Sequence, residues 1–241
     1  MERIAKVIAN SGFTSRRKAE ELINQGKVMV NGDVIKELGT KVNSNDVITI
    51  DGKMIKNEEK EYYLLYKPSG VVTTTSDEKN RKTVVDLIDT DKRIYPVGRL
   101  DYDTTGVLLL TNDGELTNKL IHPKNMINKT YIAKVKGIVN NKETKILENG
   151  VIIDGFKTSK AKVKVRKIDK EKNTSVVEIT IHEGKNHQVK KMFESINHEV
   201  IKLKRESFSF LNVKNMNAGE YRKLTIKEVK KLYNEVNNEK S

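Results

Sequence analysis

The chain has 241 residues and a formal net charge of +13, from 46 Lys and Arg against 33 Asp and Glu, and it contains no cysteine. Disulfides and thiolate metal sites are therefore excluded, a reducing cytoplasm is permitted, and the positive balance favours a polyanionic partner, nucleic acid before an anionic membrane. The length suffices for a small domain followed by a larger one, each with its own core.

The opening MERIAKVIANSGFTSRRKAEEL has mixed charge and no unbroken apolar run. This excludes a signal peptide or a membrane span there, and the expectation is a soluble, cytoplasmic protein with no membrane partner. Residues 3–10 and 15–24 carry helical apolar spacing, through Ile4, Val7 and Ile8 and then Ala19, Leu22 and Ile23, with Gly12 between them and Thr14 or Ser15 as N-cap. Short strands follow at Val28–Val30 and Val47–Ile50, and Asn31-Gly32 is a strong hairpin turn. Arg16, Arg17 and Lys18 open the second helix and can share a positive surface with Lys27; a solvated basic edge is the plain alternative. The polar stretch from Asp51 to Glu61 reads as a linker that lets the parts on either side move.

Beyond it, Tyr62–Tyr66 is a short apolar strand ended by Lys67-Pro68-Ser69-Gly70. The loop from Asp77 to Thr83 presents Lys79, Arg81 and Lys82, either as a contact for RNA or as an ordinary solvated loop. The central stretch is YPVGRLDYDTTGVLLLTNDG: a polar loop with Arg99, Asp101 and Asp103 runs into the buried strand Val107–Leu110, which stops at Asn112-Asp113-Gly114. Asp101 thus sits on a loop held by a rigid element, where catalytic groups tend to be placed. Three readings compete for it. Its carboxylates can serve the turn itself. A calcium loop is disfavoured because Asn112 stands at the closing position and a leucine run replaces the exiting helix. A phosphatase-type Asp nucleophile needs its strand before the motif, and here the strand follows.

Glu115–Ile121 is a short helix halted by Pro123, and Lys129–Val139 alternates as a strand with one wet face, carrying Tyr131. On pattern alone Tyr131 is a core aromatic. Alternating strands over 161–168 and 175–181 flank the turn 169–173. In EGKNHQVKKMFESI, residues Val189, Met192, Phe193 and Ile196 share a helix face, Asn186 is the expected N-cap, and Lys190 lies at the margin of that face. His187 has no second ligand at metal-binding spacing and is assigned no chemistry. Thr225 and Glu228 form a capping box for the last helix.

Two resemblances draw these elements together. SGFTSRRKAEELINQGKVMVNG resembles the S4 RNA-binding domain, which implies that Arg16, Arg17, Lys18 and Lys27 lie against RNA backbone. GRLDYDTTGVLLLTNDG, with YKPSGVV, KTYIAKVKG, EGKNHQVKKM and EVIKLKRESF, resembles the RsuA/RluB/RluE/RluF family of ribosomal RNA pseudouridine synthases. That family isomerises uridine to pseudouridine without a metal or organic cofactor. The resemblance implies that Asp101 is catalytic, that Tyr131 stacks on the uracil and that Lys190 pairs with Asp101. It further implies that Leu203 packs on the base and that Arg99 fills the vacated stack or holds a phosphate. Many members have Arg where Lys190 stands, and Lys lacks the bidentate geometry of Arg.

The fold expected is α+β: a small S4 domain of a helix pair plus short strands, joined to a larger mixed, mainly antiparallel β-sheet synthase domain with flanking helices. The boundaries expected are 1–50, a linker at 51–61, a catalytic domain at 62–236 and a frayed tail at 237–241. The partner expected is ribosomal RNA or a precursor ribosomal subunit, bound by a monomer. DYDTTGVLLLTNDGELTNKLIHP and KTYIAKVKG look closest to the RluB branch, which acts on the large subunit, whereas HQVKKM is similar to the small-subunit RsuA branch. A non-catalytic RNA-binding assembly factor is the alternative from another class, and the presence of Asp101, Tyr131 and Lys190 together argues against it.

Overall fold

The computed structural model describes residues 1–237, which resolve into two compact units, one of residues 1–61, 89–94 and 111–114, the other of residues 62–88, 95–110 and the described residues from 115 onward. In the first unit, helices Ile4–Asn10 and Arg16–Asn24 are followed by a four-stranded sheet whose inner strands are Val28–Val30 and Ile48–Ile50. Ser15 caps the second helix by accepting a bond from Lys18 N–H at 3.1 Å. Ile4, Ile8, Ala19, Ile23, Val28 and Ile50 are fully or almost fully buried and form its core, so the basic side chains of Arg16, Arg17 and Lys18 are left on the solvent side. Asn31 and Gly32 make the expected turn with φ of 52° and 95°.

The stretch that reads as a linker is more ordered than its polarity suggests. Lys53–Met54 pairs with Ile48–Ile50 as a further strand. The side chain of Asn112 accepts the Glu61 N–H at 2.8 Å and donates to the Glu58 carboxylate and the Glu59 carbonyl at 2.9 Å each. Charged composition hides these bonds because they are made by backbone groups and by an Asn distant in sequence. Part of the expected tail, residues 238–241, lies outside the described residues; Asn237 ends the helix Ile226–Asn237.

The second unit is built on a nine-stranded mixed sheet. Its main path runs Lys162–Asp169, Thr174–Ile181, Lys129–Lys136, Val200–Phe208, Thr105–Thr111, Tyr62–Lys67 and Tyr221–Lys223. Lys129–Lys136 pairs antiparallel with both neighbours, while Thr105–Thr111 meets Val200–Phe208 in parallel. Period-two alternation along Lys129–Lys136 buries Tyr131, Ala133 and Val135 on one face. Leu64, Val107, Leu109, Leu116, Leu120, Phe208 and Leu232 gather in one core, each worth about 1.5–3 kcal/mol of hydrophobic stabilisation. The edge strand Lys162–Asp169 exposes Lys162, Lys164, Arg166 and Lys167. Thr225 and Glu228 exchange the reciprocal bonds of a capping box, at 2.8 and 3.2 Å.

Candidate active site

The loop that ends in Asp101 is held from below by a buried lysine. Lys67, at the end of its strand, has no solvent exposure and donates to the carbonyls of Pro68, Tyr102 and Thr104 at 3.0, 3.3 and 3.0 Å. Burial pushes its pKa down to about 8, against the pull of the Asp103 and Asp101 charges. Thr73 fastens the loop from the other side, its hydroxyl donating to Leu100 O at 2.7 Å. Thr104 N–H closes a turn on Asp101 O at 3.1 Å. The loop is therefore preorganised by side chains from two earlier segments.

Helix Gln188–Glu194 brings Lys190 to the same place. Its Nζ lies 3.4 Å from Asp101 Oδ2, and nearer still to Asp103, at 2.7 and 2.9 Å from the two carboxylate oxygens. Burial acts to lower the Lys190 pKa, but the hydrogen bond to Asp103 and the charges of Asp101 and Asp103 outweigh it and hold the group above its ordinary value. Asp103 in turn is held below the carboxylate range, first by its hydrogen bond to Lys190. The expected pairing of Lys190 with Asp101 is thus one arm of a three-member cluster whose shorter arm goes to Asp103. On sequence Asp103 reads as a turn residue or as part of a disfavoured calcium-loop or phosphatase-type pattern, and none of these readings places it beside Lys190.

His187 also reaches Asp101, with Nε2 3.5 Å from Oδ1. It occupies the N-cap position of the Lys190 helix, replacing the expected Asn186, with a left-handed backbone at φ 52° and no side-chain cap. Nothing in a lone His beside Gln announces this contact, which arises from the sharp backbone reversal before the helix.

Asp101, His187, Arg99, Tyr131 and Leu203 all line one cavity of about 1170 Å³, together with Lys79 and Arg81 from the loop 77–83. Tyr131 is 8 % exposed and Leu203 7 %, so each shows only an edge or face to the cavity. Arg99, Lys79 and Arg81 are exposed at its margin. Arg81 is engaged by Asp77 at 2.7 and 3.0 Å and sits 6.0 Å over the Tyr102 ring. Lys82 does not line the cavity; its carbonyl accepts Val72 N–H at 3.0 Å. Arg16, Arg17, Lys18 and Lys27 belong to the first unit and are exposed there, with Lys18 ion-paired to Glu21 at 2.7 Å.

The deeper wall holds groups that sequence reasoning passes over. Arg205 stands directly opposite Tyr131 on the neighbouring strand and is 2 % exposed. Its Nε donates to Val107 O at 2.7 Å, while its buried Nη2 has no hydrogen-bond partner among the described residues. The Thr104 hydroxyl, 1 % exposed and in the same cavity wall, is likewise unpartnered among them. An unsatisfied buried donor costs about 1–3 kcal/mol, so two in one wall are a departure from ordinary packing. Lys129 lies on this wall too, bonded to Ile127 O and His182 O at 3.1 and 2.7 Å, with its pKa pushed down to about 8 by burial and by the Arg205 charge.

Loop and strand thus deliver a carboxylate and an aromatic face to one cavity, Lys190 reaches that carboxylate from its helix, and the comparisons define the class to which such a fold belongs. Residues 61–195 match the RNA pseudouridylate synthase family and residues 2–48 match the S4 domain. The chain belongs to the RNA pseudouridine synthases, isomerases of RNA, and carries an S4 RNA-binding domain. Among its relatives it is 55% identical, over 96% of each chain, to the ribosomal large subunit pseudouridine synthase B of Bacillus subtilis. It is 40% identical to an uncharacterized RNA pseudouridine synthase of Aquifex aeolicus, over 97% of this chain and 94% of that one. A solved pseudouridylate synthase matches with a TM-score of 0.69 at 30% identity, covering 96% of this chain and all of that one.

Proposed function

We propose that the protein isomerises a uridine of large-subunit ribosomal RNA to pseudouridine, with Asp101 as the reacting carboxylate. The observation that carries the assignment of residues is the convergence of Asp101, Tyr131 and Leu203 on one cavity lined by cationic side chains, with Lys190 3.4 Å from Asp101. The large-subunit target rests on 55% identity along nearly the whole of the Bacillus subtilis enzyme.

Uracil is joined to ribose through N1 in uridine and through C5 in pseudouridine, so the base must be detached, turned and rejoined without escaping. Asp101 lines the cavity with its side chain partly exposed, and the sugar of an everted nucleotide would stand beside it. There it either adds to C1′ or removes a C2′ proton to give a glycal. Lys190 holds Asp101 and Asp103 in fixed relation and offsets part of their charge. Tyr131 and Leu203 offer flat apolar surface to the base. Arg99, Lys79 and Arg81 at the margin take flanking phosphates.

Purified protein should release tritium from 5-tritiated uridine in precursor ribosomal RNA, and Asp101→Asn should abolish release while RNA affinity persists. An Asp101→Asn protein as active as the wild type would remove the basis for the assignment. Mapping pseudouridines by carbodiimide-blocked primer extension in a deletion strain identifies the position, and a loss confined to small-subunit RNA would overturn the large-subunit reading.

A further inference from the structure

Two buried polar atoms of the cavity wall have no partner among the described residues: Nη2 of Arg205 and the hydroxyl of Thr104. Both are held in place. Arg205 is anchored through Nε to Val107 O, and Thr104 through its backbone, whose carbonyl accepts a bond from Lys67. Arg205 lies across from Tyr131 and two residues along the same strand face from Leu203, beside the surfaces that would cover the faces of a base. What this wall lacks is an acceptor for a guanidinium N–H and a partner for a hydroxyl.

A uracil ring offers both on one edge, the imide edge O2, N3–H, O4. This edge has a property that the isomerisation requires. Turning uracil by half a revolution about the line through N3 and C6 exchanges N1 with C5, as pseudouridine formation demands, and also exchanges O2 with O4. The imide edge therefore presents acceptor, donor, acceptor both before and after the turn. A fixed donor facing one carbonyl and a fixed acceptor facing N3–H are satisfied in both orientations.

We propose, resting on the function assigned above, that Arg205 and Thr104 hold the imide edge of the detached uracil, Arg205 donating to a carbonyl oxygen and Thr104 accepting N3–H. When the N1–C1′ bond breaks, its electron pair stays on uracil, which leaves as a monoanion with charge spread over N1, O2 and O4. This is so whether Asp101 forms an ester at C1′ or takes the C2′ proton. The guanidinium stabilises that charge in a water-poor wall, where a preorganised donor acts most strongly. C5 then bonds to C1′, the Asp101 ester or the glycal is undone, the C5 proton departs and N1 regains a proton. Where the guanidinium faces the 4-position it also selects against cytosine, which carries an amino donor there in place of a carbonyl.

The test measures single-turnover tritium release, RNA affinity, thermal unfolding and free uracil, with abasic ribose scored by aniline scission of the RNA. Wild type should release tritium without free uracil; if it releases none, the assigned reaction fails and not the imide contact. Arg205→Met should slow tritium release by about 100-fold with RNA affinity within about twofold of wild type. Thr104→Val should divert a measurable share of turnovers to free uracil, water capturing C1′, and Thr104→Ser should restore wild-type behaviour. The proposal is overturned if folded Thr104→Val and Arg205→Met proteins keep wild-type rates with no free uracil. It is equally overturned if their losses track lower melting temperature or weaker RNA binding.

Discussion

Lys190 is shared between two carboxylates, and the division is unequal. Asp103 takes the short bonds, so the ammonium stands 3.4 Å from Asp101, close enough to act on it and too long to saturate it. The role proposed above for Asp101, meeting carbon or a proton, is better served by that arrangement than by a tight ion pair. Among the residues proposed for the site, those legible in the sequence are the ones whose type is tied to a motif: Asp101, Tyr131, Lys190, Leu203. Asp103, His187, Thr104 and Arg205 are not legible as site members, because their roles come from which carboxylate an ammonium meets and which buried donor finds no partner. Lys129 and Lys67 both have pKa values pushed down to about 8 by burial. A lysine whose folded value lies below its unfolded value binds fewer protons in the fold. Stability should therefore rise as pH climbs from about 8 toward 10.5, and the burial cost should be constant below that window. In Lys129→Met one of the two contributions is gone, and denaturant midpoints measured at pH 8 and pH 10 should show a smaller rise than in wild type.

The elements that carry the site meet at one close approach. Gly106, with φ 113°, is paired with Arg205 where strands Thr105–Thr111 and Val200–Phe208 run parallel, and an added Cβ would stand 2.1 Å from the Arg205 carbonyl oxygen. Gly106→Ala should force these strands apart, lowering stability by about 3 kcal/mol and activity with it, since Asp101 precedes one strand and Leu203 and Arg205 lie on the other. Urea unfolding and tritium release measure the two effects, and a variant with wild-type values in both would show that the junction yields freely. The strands Tyr62–Lys67, Thr105–Thr111, Lys162–Asp169 and Thr174–Ile181 are legible from apolar runs and alternation within a residue or two at their ends, whereas the strand expected to run to Val139 stops at Lys136 and Tyr221–Lys223 is not foreseen. The order in which they pair is not readable from periodicity, because the parallel junction joins segments about a hundred residues apart. The buried Lys67 reads on sequence as a turn residue, since a lysine at a strand end gives no sign that three carbonyls await it.

For the molecule as a whole, the cations behind the +13 charge include the exposed helix start of the first unit and, in the second, the margin of the cavity and the edge strand Lys162–Asp169. Helix-pair spacing and the Asn-Gly turn make the first unit readable, whereas the bonds that order residues 58–61 are not, as they depend on Asn112. Replacing Arg16, Arg17 and Lys18 together by Gln should weaken binding to ribosomal RNA and reduce the slope of log affinity against log salt by about 1 for each phosphate that the variant no longer neutralises. Filter binding over a salt series measures it, and an unchanged slope would show that these cations do not touch RNA.

The sheet of the second unit ends on one side in Lys162–Asp169, a strand at the border of the main path. Such a rim is a template for adding strands from another molecule, and here it is studded with Lys162, Lys164, Arg166 and Lys167. Two copies approaching rim to rim would set like charges against one another at strand spacing, so polymerisation through this border is opposed from the outset. A protein proposed to work on ribosomal RNA would gain protection from self-association through these side chains.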